Sequence, residues 1–120
     1  MKLEEKTINI SATGAESNTV MPTRNVDNYV PEDVSIREVV EVYISDDSGG
    51  SNTVTIENYD NEDSEVDNSV KLNVAADEDD KTDAGKVLEV PREDSDGNSH
   101  SVTYSCDGAF TGVIRIRDIV

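Results

Sequence analysis

Sixteen valines and eight isoleucines stand against three leucines in this chain. β-Branched side chains are stiff about χ1, crowd a helix, and pack well on a pleated surface. A chain so biased is confined to extended structure. The local patterns agree. "KTINISATG" alternates through Ile8 and Ile10 and breaks at Gly14. "VSIREVVEVYIS" sets Val34, Ile36, Val40, Val42 and Ile44 at period two, with Glu38 interrupting. Ser35, Arg37, Val39, Glu41 and Tyr43 then face the other way. "TVTIENY", "VKLNVAA", "KVLEVPR", "HSVTYSC" and "VIRIRDIV" complete the set of strands.

The segments between them are polar turns. "DDSGGSN" reads as a loop joining two strands into a hairpin. "DNEDSEVDNS", "AADEDDKTDAGK" and "EDSDGNS" read as solvated acidic connections. Nothing combines helical period with helix formers over a useful length. The reading is all-β: one small antiparallel β-sandwich or jelly roll of about seven short strands. Residues 1–33 are an N-terminal strand followed by an irregular arm in which Pro22 and Pro31 each remove a backbone donor. Residues 34–120 form the sandwich core.

Charge is the second constraint. Twenty-seven acids face ten Lys and Arg, a net charge of −17. The mass scaling of folded surfaces gives about 6,000–6,500 Å², hence one excess negative charge per roughly 375 Å². The screening length is about 8 Å at physiological salt and about 3 Å at molar salt, so brine removes most of the repulsion. The composition points to a salt-adapted surface, that of a halophile or a virus of one. The alternative is a disordered acidic chain. Leu, Ile, Val and Phe total 28 of 120 residues, about 23% against the rough 20% below which disorder is the default. The core is therefore thin, and a partner surface is expected to complete the burial.

Several functions are disfavoured. The surface would repel phosphate, so nucleic acid is not an expected partner. "MKLEEKTINI" lacks the apolar stretch of a secretory signal, and no apolar run approaches the ~20 residues that cross a bilayer. Synthesis in the host cytoplasm and no membrane partner are the expectations. Nothing resembles a nucleophile elbow. His100 and Cys106, the sole histidine and cysteine, lie about 20 Å apart along an extended strand. His100 reads as a surface residue beside a turn, Cys106 as a small buried hydrophobe. The chain is expected not to be an enzyme and to carry no cofactor.

Two features carry candidate interactions. "EDSDGNS" places Asp94, Asp96 and Asn98 at alternating positions around Gly97. It lacks the spacing of an EF-hand loop, so it is either a hydrated turn or a site for a hard cation such as calcium, with Asp94 and Asp96 as ligands. "VIRIRDIV" turns Arg115 and Arg117 to one face and Ile114 and Ile116 to the other. The arginines either pair with acids on an adjacent strand or grip carboxylates of a neighbouring subunit. Pro22 and Pro31, in the arm, are the other candidate interface residues.

"VSIREVVEVYISDDSGGSNTVTIENYD" followed by "GKVLEVPREDSDGNSHSVTYSCDGAFTGVIRIRDIV" resembles the small β-sandwich structural proteins of tailed viruses, over about residues 34 to 120. In these a polar loop leads to a "TVTI"-like strand. A "VLEVP"-like strand and a turn follow, then a closing strand introduced by a T-G pair. With the acidity, the resemblance implies a haloarchaeal virus. It implies a virion component, a capsid decoration (cement) protein or a small tail or fibre protein, often trimeric, that stabilises the particle against a major capsid or other virion protein. It carries over no catalytic residues. The alternative is an adhesion or receptor-binding module using its acidic loops, with or without calcium, to hold a cell surface; a small hydrolase ranks behind both.

Overall fold

The computed structural model describes residues 2–15, 30–82 and 85–120. Its strands are β1 (Leu3–Ala12), β2 (Ile36–Asp46), β3 (Asn52–Asp60), β4 (Glu65–Val74), β5 (Asp79–Lys81), β6 (Leu88–Pro91), β7 (His100–Cys106) and β8 (Phe110–Ile119). All pairings are antiparallel. One sheet runs β1-β8-β2, with β5 and β6 sharing the outer side of β2. The other runs β4-β3-β7. The two make an all-β sandwich, as the valine and isoleucine bias requires. Among the described residues no helix is long and apolar enough to cross a membrane.

β1 pairs with β8 along its whole length, Leu3 against Ile119 and Ala12 against Phe110. Its Ile8 and Ile10 are buried, so the core reaches back into the first twelve residues. Apolar rows cross the first sheet, for example Ile8, Ile114 and Val42. Opposing rows in the second sheet are Leu72, Val54, Cys106 and Val70, Ile56, Tyr104. The Tyr104 ring meets Phe110 edge-on at 5.6 Å, and its hydroxyl donates to the Ser11 carbonyl at 2.7 Å. These contacts tie the second sheet to the first.

Four expectations need correction. The segment "DDSGGSN" is not a hairpin loop: β2 and β3 lie in different sheets, so it carries the chain across the sandwich. The hairpin is β3–β4, and β4 begins at Glu65, inside the segment read as a turn. The acidic run after β4 contains a short strand, β5, on the edge of β2. The even alternation assigned to β2 fails because the register shifts between Val39 and Glu41. An extra residue there exchanges the two faces. Arg37 and Val39 point inward before the shift, and Val42 and Ile44 after it.

The shift lines up opposite charges on neighbouring strands. Arg37 stands opposite Asp118, Glu38 opposite Arg117 and Glu41 opposite Arg115. Arg37 and Asp118 are fully buried and bonded through two N–H···O contacts of 2.8 and 2.9 Å.

Candidate functional site

The interior between the sheets ends in polar side chains. On β3 the inward series runs Asn52, Val54, Ile56, Asn58, Asp60, all buried. Strand parity alone therefore brings a carboxylate and two amides into the sandwich.

At one end, Asp46 closes the interior. Its Oδ1 accepts from the Ser48 amide and hydroxyl and from Asn52 Nδ2. Its Oδ2 accepts from the Asp77 amide. These bonds, the Ser48 hydroxyl foremost, hold the Asp46 carboxyl well below the ordinary carboxylate range. Asn52 then clamps the turn before β8: its Oδ1 accepts from the Asp107 and Gly108 amides, and its Nδ2 donates to the Gly108 and Ala109 carbonyls. Every buried polar atom named here has a partner, as burial demands.

The opposite end holds a histidine among carboxylates. His100, Asp60, Asp67 and Asp94 come together from β7, β3, β4 and the turn before β7. One ring nitrogen and one oxygen of each carboxylate lie within 4.8 Å of one another. His100 is 1% exposed, which corrects the expectation of a surface residue. Its parity matches Val102, Tyr104 and Cys106, so it must point inward with them. Nδ1 lies 2.7 Å from Asn58 Oδ1 and Nε2 lies 2.9 Å from Asp94 Oδ2. The Asn58 amide is oriented by its Nδ2 donating to Asn68 Oδ1 at 2.8 Å.

Each carboxylate reaches the cluster for a local reason. Asp94 heads the "EDSDGNS" turn, where its Oδ1 accepts from the Asp96 and Asn98 amides. Gly97 makes this turn at φ +83°, a backbone state that favours glycine. Asp60 ends β3, where its Oδ1 accepts from the Glu62 and Asp63 amides and its Oδ2 from Asn98 Nδ2. Asp67 is skipped by the register between Asn68 and Val66, and a bulge of this kind re-aims a side chain. It comes within 3.9 Å of His100 Nδ1. The His100 contact, ahead of the Asn98 amide, holds the Asp94 carboxyl low. The Asp63 amide, ahead of the Asn98 side chain, does the same for Asp60.

Of the residues singled out in the sequence, Asp94 belongs to this cluster. Asp96 is exposed and outside it, touching Asp94 through its backbone amide. Arg117 bonds Glu38 through Nε and Nη2, both at 2.9 Å. Arg115 stands 3.9 Å from Glu41 with about half its side chain exposed. Pro31 is half-buried, and its carbonyl accepts from Val34 N at 3.0 Å. Pro22 lies outside the described residues. Sequence reasoning missed Asp60, Asp67 and His100 as a group. The available signal was the parity of His100 and Asp60 with apolar residues on their own strands.

Fold and site together define a small antiparallel β-sandwich, closed at both ends by hydrogen-bonded polar groups. No protein-family description matches the chain, and no curated protein matches it. Among solved structures it is similar to that of Bacillus endospore appendages, which form a family of disulfide-linked pili. The TM-score is 0.52 at 14% identity, covering 98% of this chain and 88% of that one. It also aligns with infectious bursal disease virus strain Gx, at TM-score 0.47 and 10% identity, over 99% of this chain and 32% of that one. The Tobacco streak virus coat protein dimer aligns at TM-score 0.41 and 12% identity, over 97% of this chain and 87% of that one. At such identities the likeness is one of fold.

Proposed function

We propose that this chain is a non-enzymatic structural subunit that decorates or cements the capsid of a halophilic tailed virus and packs against copies of itself, as a trimer, and against a capsid protein. The observation that carries the reading is the pair of long strands at the sheet edges. β1 and β4, ten residues each, end their sheets among the described strands. Each offers one side of its backbone to a neighbour, and each bears an exposed apolar side chain, Leu3 at 52% and Val66 at 43%. A long open edge is a liability for a free monomer and a docking device for an assembly subunit. The Bacillus appendage fold belongs to a subunit that builds pili, which supports a fold suited to repetition.

The contacts are noncovalent. Cys106, the sole cysteine, is buried, so it presents no surface thiol for the kind of linkage those pili use. Salt screens the acidic faces that would keep subunits apart, leaving apolar area and backbone pairing to hold them. Arg115, loosely held by Glu41, is placed to turn to a neighbour's carboxylate.

Quantitative mass spectrometry of gradient-purified particles from the source culture tests the role. The chain should band with the major capsid protein at a fixed copy ratio. Recovery only from the unassembled soluble fraction would overturn it.

A further inference from the structure

We propose that His100, Asp60, Asp67 and Asp94 form a binding site for one divalent transition-metal cation of the zinc or manganese type, at the end of the sandwich where β3, β4 and β7 meet the turn before β7.

The argument begins at the ring. Asn58 Oδ1 can only accept, and the bond from Asn58 Nδ2 to Asn68 sets its direction. His100 Nδ1 therefore donates to it. Metal-bound histidines commonly donate one ring N–H to a carbonyl or carboxylate oxygen and hold the ion with the other nitrogen. That other nitrogen, Nε2, sits 2.9 Å from Asp94 Oδ2. At that distance Nε2 either donates its own proton to Asp94 Oδ2 or, with that proton released, shares a cation with it. Two ligands at right angles, each about 2.1 Å from one ion, are themselves about 3.0 Å apart. The observed 2.9 Å is a hydrogen-bond distance that an ion can occupy with little movement, since neighbouring ligands stand about 3.0 Å apart in an octahedral shell and about 3.4 Å apart in a tetrahedral one.

The carboxylates are prepared in the same sense. Asp60 and Asp94 each use Oδ1 to accept two backbone N–H groups. This fixes the side chains and leaves Asp94 Oδ2 to the cluster, while Asp60 Oδ2 takes a single bond from Asn98. Asp67, about two-fifths exposed, gives solvent access to the ion. One imidazole with three carboxylates suits zinc or manganese better than calcium or magnesium, which favour all-oxygen shells. The ion would join strands of the second sheet to the turn that leaves β6 of the first.

Calorimetric titration of the chelator-stripped chain with Zn²⁺ and Mn²⁺ in molar NaCl tests the site. One equivalent should bind. Asp67→Asn, at an exposed position, should fold normally and weaken binding at least tenfold, whereas Asp96→Asn should leave it unchanged. Because His100 is the sole histidine, ¹⁵N labelling of its ring gives a second readout: Zn²⁺ should shift Nε2 while Nδ1 stays protonated. Binding no tighter in the wild type than in Asp67→Asn, or ring signals unmoved by Zn²⁺, would overturn the proposal and assign the place to a proton alone.

Discussion

Arg37 and Asp118 meet across β2 and β8 with no exposure of either side chain, Nε to Oδ1 at 2.8 Å and Nη2 to Oδ2 at 2.9 Å. The pair sits at the same inward level as the apolar core, two residues beyond the row of Val39 and Ile116 and on the same face. Lys6 adds a longer contact of 3.7 Å to Asp118. Removing one member strands the other in a dry place. Arg37→Met should therefore cost about 3–5 kcal/mol in urea unfolding. The double replacement Arg37→Met with Asp118→Leu should cost less than Arg37→Met alone, because no uncompensated charge remains.

Gly112 lies between Ile10 and Ile44 in the row that crosses β1, β8 and β2. A Cβ there would stand 2.6 Å from the Tyr43 carbonyl and 2.8 Å from Ile44 Cδ1. The first neighbour is backbone and cannot yield. Gly112→Ala should destabilise by about 1–3 kcal/mol. Gly50→Ala, facing open space, should stay within about 0.5 kcal/mol of wild type. Thermal unfolding of the two variants checks the contrast.

Acid should loosen the end closed by Asp46. Its carboxyl is held low in the folded chain, first by the Ser48 hydroxyl and then by the Asp77 amide. As pH falls, the unfolded chain takes up this proton before the folded one. The stabilisation is thus complete above the ordinary carboxylate value of about 3.9 and is lost progressively below it. Asp46→Asn should flatten the stability profile in that range, measured by denaturant midpoints from pH 6 to 2.5.

The net charge of −17 is spread over 6346 Å² of surface. Raising salt from tenth-molar to molar shortens the screening length from about 10 to about 3 Å. The urea midpoint should climb steeply with KCl over this range. A midpoint independent of salt would remove the halophilic part of the proposal.

The legibility of the fold follows physical lines. β7 and β8 were readable to within a few residues because strict alternation repeats the inward face: Val102, Tyr104, Cys106 and Ile114, Ile116. The strand Glu65–Val74 was half hidden. Its first five residues are exposed on both faces of an edge, so no apolar period marks them. Which sheet a strand joins is a long-range matter, and "DDSGGSN" carries no local sign that β2 and β3 part company. The shift at Val39–Glu41 and the skip at Asp67 are set by partner strands. Through them the buried Arg37 and the fourth member of the histidine cluster escaped a reading based on period two. Asp94 was visible because turn residues announce themselves locally; His100 was not, because its burial depends on β3 and β4.

Light scattering on the purified chain in molar KCl, across a hundredfold range of concentration, tests the central claim most directly. A subunit built to pair along β1 and β4 should show a mass that is a fixed multiple of the 13.1 kDa chain, and a proline at Thr7, mid-β1, should lower that multiple while circular dichroism stays that of β-structure. A single-chain mass at every concentration, in wild type and variant alike, would contradict it.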